Sequence, residues 1–362
     1  MDSSKKEPGL VLVLDPGLAG PLRSRIRERL ESYGGVVTAV EGSDRFYLEV
    51  RGEVAAIQSL ALDSWRGVEK VVSVGGELLH VTADLDSEPA GVAVGSVRIG
   101  AGSFCVIGGP CAVENEERTL KIAAEVASAG ADLFRGGAYK PRTSPYAFQG
   151  LGEVALEILQ KTRQETGLGI VTEILDPRDV EKIANVADVF QVGSRNMHNY
   201  SLLKELGRSS VPILLKRGFA STIDELLMAA EYILSGGNSN VILCERGIRC
   251  GAASRKIVLD LGAIPELKKR THLPILVDPS HGSADAYRVP ALARAAAAAG
   301  ADGILIEVHD QPEDALSDGR QAVTPEQFRE LVPQVHEIRA LVEGQKSGAS
   351  SSLAIAPGGE DR

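Results

Sequence analysis

The 362-residue sequence lacks several features that would place it in a broad class of protein. No apolar run approaches the roughly 20 residues of a membrane span. No long apolar stretch follows the charged N-terminus, so no signal peptide is indicated. No polybasic tract offsets the net charge of −10, which argues against nucleic acid or an anionic membrane as the main partner. We therefore expect a cytoplasmic protein that binds neither.

Cysteine is also scarce, with four residues in the chain. The pair Cys105 and Cys111 has the same spacing as Cys244 and Cys250, which could suggest a four-cysteine zinc site. That spacing does not match zinc-knuckle pairs, and Cys105 and Cys244 fall within predicted strands. A reducing compartment also disfavours disulfides. We expect neither a structural zinc site nor disulfide bonds.

Residues 1–83 predict a small α+β domain. Apolar strand patterns at 10–14, 36–40, 46–50 and 68–74 alternate with helical patterns at 21–33 and about 54–63. The order strand, helix, strand, strand, helix, strand is typical of a ferredoxin-like fold. Residues 84–103 contain acids, one proline and several glycines, and we interpret them as a linker and the entry to the next domain.

Residues 104–343 alternate short apolar strands with amphipathic helices. The predicted strands are 104–108, 132–135, 169–173, 189–193, 212–216, 240–245, 274–278 and 303–308. Eight strands with intervening helices in this length favour an α/β fold, a (β/α)8 TIM barrel. The tail, residues 344–362, is rich in Ser, Gly and Ala and is predicted to be disordered.

Polar and charged residues gather where the predicted barrel strands end, the edge at which such barrels carry their chemistry. A solvated loop charge is the simpler interpretation of any single one, but it does not account for the whole ring. The residues are Cys111, Arg135, Glu173, Ser194, Arg195, Lys216, Arg217, Glu245, Arg246, Asp278, His281, Glu307 and His309.

One group within this ring is cationic and indicates a site for multiply charged anions. Its members are Arg135, Lys140, Arg142, Arg195, Lys216 and Arg246. A strand alternates its faces, so only one of the adjacent Lys216 and Arg217 should point inward. We expect Lys216 to do so and Arg217 to be structural.

A second group combines a thiol, an imidazole and two carboxylates: Cys111, His281, Glu307 and Asp318. Mixed S, N and O donors suit a borderline divalent ion such as Mn2+, Fe2+, Co2+ or Zn2+ rather than Ca2+. His309 is a competing ligand because it lies two residues beyond Glu307. Spacing alone leaves open that Cys111 is a small buried residue and Asp318 a turn former.

Eight motifs of the barrel resemble those of the type I 3-deoxy-D-arabino-heptulosonate 7-phosphate (DAHP) synthase family. They are GGPCAVEN (108–115), FRGGAYKPRTSPYAFQGLG (134–152), TEILDP (172–177), QVGSRN (191–196), PILLKRG (212–218), ILCERGIR (242–249), PILVDPSHG (274–282) and IEVHDQPEDALSDG (306–319). The resemblance implies a transferase that joins phosphoenolpyruvate to erythrose 4-phosphate and releases phosphate with a divalent metal. This reaction is the first step of the shikimate pathway to the aromatic amino acids.

The resemblance also assigns roles, carried over motif by motif. It makes Cys111, His281, Glu307 and Asp318 the metal ligands. Phosphoenolpyruvate would be held by Arg135, Lys140, Ser194, Arg195, Lys216 and Arg246, and the erythrose phosphate by Lys140, Pro141, Arg142, Thr143 and Ser144. Asp278 would position His281 or substrate hydroxyls, and the group that activates water is Lys140, Glu173 or His309.

Two alternatives and one regulatory expectation remain. The sister enzyme 3-deoxy-D-manno-octulosonate 8-phosphate synthase typically has Lys-Ala-Asn-Arg-Ser where this chain has Lys140 to Ser144, and a catalytically inactive metabolite sensor could use the same barrel. The N-terminal unit resembles a regulatory domain of one branch of the family. We expect a homo-oligomer, with a tetramer favoured, and Tyr or Phe as an inhibitor bound between N-terminal domains. A domain that only stabilises the oligomer is the alternative.

Overall fold

The computed structural model describes residues 9–41, 46–53, 56–57, 60–74, 78, 80–82, 91–142, 144–250 and 257–349. The chain divides into two compact units. The first comprises Met1–Pro89 with Lys269–His272, and the second comprises Ala90–Lys268 with Leu273–Arg362. The division at Pro89 falls within the segment predicted as a linker.

The first unit contains a four-stranded antiparallel sheet. Its elements are β1 (Gly9–Leu14), α1 (Gly20–Ser32), β2 (Gly35–Glu41), β3 (Phe46–Gly52) and β4 (Val68–Val74), with the strand order β2-β3-β1-β4. Leu10, Leu12 and Leu14 of β1 share one core with Ile26 and Leu30 of α1 because each set lies on one face of its element. The strand order is that of the predicted ferredoxin-like fold. Much of the second predicted helix, 54–63, lies outside the described residues.

The second unit begins with a hairpin, β5 (Gly91–Val94) and β6 (Val97–Gly100). Gly95 opens its two-residue turn with a φ of 58°, which favours glycine. Val92, Val94 and Ile99 are buried in one core with apolar residues from all eight barrel strands. The segment predicted as linker and barrel entry therefore contributes to the barrel core.

Eight parallel strands close into a barrel. They are β7 (Cys105–Gly109), β8 (Leu133–Arg135), β9 (Gly169–Glu173), β10 (Val189–Val192), β11 (Ile213–Lys216), β12 (Val241–Glu245), β15 (Ile275–Val277) and β16 (Gly303–Glu307). Every residue of β7, β11, β12 and β16 is buried, as expected for strands covered on both faces. Each strand overlaps its predicted range, so the predicted TIM barrel is confirmed.

Helices and a short ribbon occupy the connections between these strands. The helices are α2 (Glu116–Ser128), α3 (Glu153–Thr166), α4 (Val180–Ala184), α5 (Tyr200–Leu206), α6 (Ile223–Leu234), α7 (Ala263–Arg270), α8 (Pro279–Ser283), α9 (Val289–Ala298) and α10 (Pro325–Ala349), and the ribbon pairs β13 (Ile248–Arg249) with β14 (Ile257–Val258). Among the described helices none is both long and apolar enough to cross a membrane.

The last helix ends later than the sequence predicted. Disorder was predicted from residue 344, but α10 continues to Ala349. An ion pair of 2.8 Å between Arg339 and Glu343, four residues apart, supports the helix just before this point. Residues 350–362 of the predicted tail lie outside the described residues.

Candidate active site

Four candidate metal ligands converge beyond the carboxyl ends of the strands. One donor atom from each of Cys111, His281, Glu307 and Asp318 lies within 4.8 Å of the other three. Cys111 follows β7, His281 lies in α8 after β15, and Glu307 is the last residue of β16. Asp318 lies in the loop after β16 with a φ of 56°. Three barrel connections thus bring together residues separated by as many as 207 positions.

Neighbouring side chains orient these donors. His281 Nδ1 lies 2.8 Å from Asp278 Oδ2, which leaves Nε2 directed to Glu307 Oε1 at 3.4 Å. A histidine that binds a metal through one ring nitrogen usually donates the N–H of the other to a carboxylate or a similar acceptor, which fixes the orientation of the ring. Glu307 Oε2 accepts a hydrogen bond of 2.6 Å from Gln321 Nε2. Gln321 was not predicted as a site residue.

The donors fit a divalent cation. Among the described residues, no group donates a hydrogen bond to the buried Glu307 Oε1, although Arg135 Nη2 lies 3.1 Å away. Burial, followed by the charge of Glu307, raises the pKa of the Cys111 thiol well above its ordinary value. A cation bound among these groups would offset both the burial and the mutual repulsion of the anions. The S, N and O donors suit a borderline ion.

His309, the competing ligand, is held elsewhere. Its Nε2 lies 3.3 Å from Glu114 Oε2, and its Nδ1 accepts a hydrogen bond of 3.1 Å from the backbone N–H of Gln311. It is not part of the four-residue donor group found among the described residues. His309 was considered as a ligand because it lies two residues beyond Glu307 and residues of that spacing share one face of a strand. The strand β16 ends at Glu307, so this argument does not reach His309.

Arg135 and Lys140 connect the metal donors to the cationic group. Arg135 is 3% exposed, and its Nε and Nη1 have no hydrogen-bond partner in the described structure. Lys140 Nζ donates to Cys111 Sγ over 3.0 Å and lies 3.7 Å from Glu173 Oε2. Burial lowers the pKa of Lys140, but the charges of Cys111 and Glu173 outweigh it and the net pKa is raised. Two free donors on a buried guanidinium indicate a site for an anion.

Gly193 explains how Glu173 fits beside Lys140. A Cβ atom at position 193 would lie 2.0 Å from Glu173 Oε1, so any larger residue would displace the carboxylate. Gly193 precedes Ser194 and Arg195, which form a short helical turn with Asn196. The turn that carries these two predicted phosphoenolpyruvate residues thus begins directly after the glycine that faces Glu173.

Lys216 and Arg217 point to different partners, as alternation along β11 predicts. Lys216 Nζ donates to Asp278 Oδ2 over 2.5 Å, inside the barrel mouth. Arg217 instead donates to the backbone oxygen of Ser221 and pairs with Glu245 and Asp260 at 2.8 and 3.0 Å. These three contacts make Arg217 a structural residue.

Phe219 is a residue that the sequence analysis missed. The guanidinium carbons of three arginines lie close to its ring centroid: Arg246 at 4.8 Å, Arg195 at 5.3 Å and Arg249 at 4.6 Å. Burial lowers the pKa of Arg246. Stacking on an aromatic face offsets part of the repulsion among the cations without neutralising them. The ring therefore keeps several positive charges available to one anion.

The loop predicted to take the erythrose phosphate is only partly described. Pro141 and Arg142 are half-buried, Ser144 is exposed, and Thr143 lies outside the described residues. Arg142 Nη1 is buried and has no hydrogen-bond partner in the part of the chain that the structure describes. Lys140 N donates to the backbone oxygen of Gln149 over 2.8 Å, so the loop closes at its base.

Comparisons with known proteins agree with this arrangement. Residues 80–343 match the model of the DAHP synthetase I family. The chain is 42% identical to a phospho-2-dehydro-3-deoxyheptonate aldolase of Thermotoga maritima, over 91% of this chain and 97% of that protein. A crystal structure of a Thermotoga maritima DAHP synthase superposes with a TM-score of 0.71 at 41% identity, covering 93% of this chain and 98% of the other.

Two further comparisons are informative. A truncated form of the Thermotoga maritima synthase superposes with a TM-score of 0.68 at 42% identity, covering 75% of this chain and 98% of the other. A 2-dehydro-3-deoxyphosphooctonate aldolase of Syntrophotalea carbinolica is 34% identical over 66% of this chain and 92% of that protein. Similarity to the second kind of enzyme is thus lower and covers less of the chain.

Proposed function

The chain belongs to the DAHP synthetase I family, and we propose that it joins phosphoenolpyruvate to erythrose 4-phosphate and releases inorganic phosphate. It is a DAHP synthase, a 3-deoxy-7-phosphoheptulonate synthase of the transferase class. The observation that carries the proposal is the donor group of Cys111, His281, Glu307 and Asp318 beside the Nε and Nη1 atoms of Arg135, which have no hydrogen-bond partner among the described residues. A site for a divalent ion and a site for an anion therefore share one barrel mouth.

The cations hold two phosphorylated substrates that would otherwise repel each other. Arg135, Lys140, Ser194, Arg195, Lys216 and Arg246 bind phosphoenolpyruvate, and Lys140, Pro141, Arg142, Thr143 and Ser144 bind the erythrose phosphate. The free N–H groups of Arg135 and Arg142 support these roles. Such fixed charges set the mutual orientation of the two reactants. They also lower the activation barrier, because they do not have to reorganise during the reaction.

A divalent ion held by the four donors would supply Lewis acidity toward the aldehyde of erythrose 4-phosphate. Mn2+, Fe2+, Co2+ and Zn2+ all suit the donor set. Lys140 stays protonated because its pKa is raised, so its Nζ can donate to an oxygen that gains negative charge. The enol carbon of phosphoenolpyruvate forms the new C–C bond, water adds to C2, and phosphate leaves by C–O cleavage.

Glu173 is the residue best suited to activate that water. Lys140 is protonated and cannot accept a proton, and both ring nitrogens of His309 are already engaged, with Glu114 and Gln311. Glu173 is buried, and among the described residues its carboxylate makes one ion pair, 3.7 Å long, with the ammonium of Lys140. Its carboxylate can take a proton from water in the mouth of the barrel.

A phosphate-release assay tests the substrate assignment. The enzyme is offered phosphoenolpyruvate with erythrose 4-phosphate or with arabinose 5-phosphate, before and after EDTA treatment and metal addition. We expect turnover with erythrose 4-phosphate that EDTA abolishes and metal restores. A preference for arabinose 5-phosphate would identify the octulosonate enzyme instead, turnover that resists EDTA would exclude the metal site, and no turnover with bound phosphoenolpyruvate would favour a sensor.

The loop that begins at Lys140 provides a second test of the aldose. Changing Pro141, Arg142 and Thr143 to Ala, Asn and Arg gives the sequence typical of the octulosonate enzyme. We expect the ratio of kcat/KM values to shift toward arabinose 5-phosphate. The matched control changes Tyr146, a loop residue that is 96% exposed, to Ala, and this change should leave the ratio unaltered.

The N-terminal unit is proposed to be regulatory, with Tyr or Phe as the inhibitor bound between N-terminal units of a homo-oligomer, a tetramer being favoured. Inhibition is compared between the full chain and a chain that starts at Ala90, and sedimentation gives the oligomer size. The structure of a truncated relative supports the expectation that the barrel folds alone. Equal inhibition of both chains would contradict the proposal and favour a purely stabilising role. The cytoplasmic location stays a prediction.

A further inference from the structure

Glu114 connects the two segments that carry Cys111 and Asp318. It lies three residues after Cys111, and its side chain is 4% exposed. Its Oε1 accepts a hydrogen bond of 2.7 Å from the backbone N–H of Leu316, two residues before Asp318. Its Oε2 lies 3.3 Å from His309 Nε2, at the start of the same loop. One carboxylate thus holds both ends of the loop between His309 and Leu316.

The loop needs such an anchor. Asp318 has a φ of 56°, a left-handed conformation that is unfavourable for residues other than glycine and that the surroundings must maintain. Leu316 is 52% exposed, so its side chain contributes little packing that would fix the loop. The described loop contains only two short 3-10 turns, Pro312–Asp314 and Gly319–Gln321. The hydrogen bond that Leu316 donates to the buried carboxylate of Glu114 therefore restrains the loop two residues before Asp318, while Arg320 and Gln321 hold it on the other side through Asp285 and Glu307.

Arg118 completes the arrangement from the first turn of α2. Its Nη1 lies 3.1 Å from Glu114 Oε2, and its Nη2 donates to Gln311 Oε1 over 3.0 Å. Glu114 thus faces three donors with two oxygens. A carboxylate is an acceptor only and satisfies all three, whereas an amide would direct its own N–H groups toward at least one of them.

We propose that Glu114 is a positioning residue for the metal site, which holds the Asp318 loop so that its carboxylate lies beside the sulfur of Cys111. The 3.0 Å contact between Cys111 Sγ and Asp318 Oδ2 is the juxtaposition that it maintains. The inference rests on the proposed metal site. Both oxygens of Glu114 are engaged by the loop and by Arg118, so it acts through Asp318 and is not itself a ligand.

In the test, the metal-free full-length enzyme is titrated with Co2+, and binding is monitored through the thiolate-to-cobalt and visible absorption bands. Glu114→Gln should weaken Co2+ binding by roughly 10- to 100-fold, as loss of the support of a metal ligand does elsewhere. Its visible spectrum should resemble that of Asp318→Ala. In the Asp318→Ala background, Glu114→Gln should change the Kd less than about twofold, because residues that act as a unit are not additive.

Asp310→Asn is the matched control. Asp310 pairs with Arg118 and Lys121 in the same network and carries the same charge, but no contact found among the described residues links it to Leu316. It should leave the Co2+ affinity within about twofold of the wild type. Thermal unfolding confirms that each variant is folded, and Glu114→Ala serves as a second variant.

Three results would overturn the inference. They are unchanged Co2+ binding by both Glu114 variants, an equal loss of Co2+ affinity in Asp310→Asn, and additive losses of Co2+ affinity in the double variant. Absence of the thiolate-to-cobalt band in the wild type is distinguishable from these three results, because it would contradict the proposed metal site itself.

Discussion

The carboxylate of Asp278 lies 2.5 Å from the ammonium group of Lys216 and is fully buried. The same oxygen, Oδ2, lies 2.8 Å from His281 Nδ1. One atom therefore links a residue proposed to bind phosphoenolpyruvate to a residue proposed to bind the metal. Burial alone would raise the pKa of Asp278, but His281 and Lys216 hold it well below its usual range.

Asp278→Asn should therefore impair both sites at once. The amide of Asn keeps the shape but places N–H groups where Lys216 and His281 also donate, so the two residues lose a common acceptor. We expect metal affinity to fall by roughly 10- to 100-fold and KM for phosphoenolpyruvate to rise. Metal titration and steady-state kinetics measure the two effects. Asp260→Asn is the control because the Asp260 carboxylate pairs with Arg217 and accepts from the backbone N–H of Ala263, and an equal effect there would contradict the prediction.

The neighbours Lys216 and Arg217 should give opposite phenotypes when each is changed to Met. Lys216→Met should lower kcat/KM for phosphoenolpyruvate by roughly 10²- to 10³-fold, the scale for losing one fixed charge in an active site. Arg217→Met leaves the fully buried Glu245 without its main partner and should lower the free energy of unfolding by about 3–5 kcal/mol. Urea unfolding and steady-state kinetics separate the two effects, and equal phenotypes would contradict the assignment.

The barrel was predictable from the sequence because its strands are short apolar runs buried on both faces. Runs such as Val241–Glu245 and Gly303–Glu307 are apolar over most of their length, and this local pattern alone predicts a buried strand. The hairpin of β5 and β6 was missed although its alternation and its Gly95 turn were visible, because three acids and a proline before it and the glycines within it indicated a linker. The end of α10 was also placed too early, since composition alone does not report an ion pair such as Arg339–Glu343.

The candidate site was only partly predictable. The strand ends indicated the ring of polar residues, and donor chemistry suggested grouping Cys111 with Asp318, 207 positions away. Only the family resemblance assigned these residues as metal ligands. Glu114 and Phe219 carry no distinguishing pattern in the sequence. Their roles come from contacts with a distant backbone N–H and with three arginines, and such contacts exist only once the chain is folded.

Asp310 provides a prediction about pH. Burial alone would raise its pKa, but the hydrogen bond from Lys121 and the charges of Lys121 and Arg118 lower it below the ordinary value. A carboxylate with a lowered pKa stabilises the folded state above its unfolded pKa of about 3.9, and this contribution disappears as the pH falls through the folded pKa. Asp310→Asn should therefore be less stable than the wild type at neutral pH, and the difference should shrink below about pH 4. Urea unfolding across this range measures it, and a difference independent of pH would contradict the prediction.

Phe219 should affect the binding of phosphoenolpyruvate more than the chemical step, because it contacts the arginines rather than the metal donors. Phe219→Leu keeps an apolar side chain but removes the aromatic face on which Arg195 and Arg246 stack. A cation–π contact contributes about 0.5–2 kcal/mol, so KM should rise roughly 2- to 30-fold while kcat changes little. Phe219→Tyr retains the ring and should behave like the wild type. A fall in kcat at unchanged KM, or equal effects of Leu and Tyr, would show that the ring does not organise these cations.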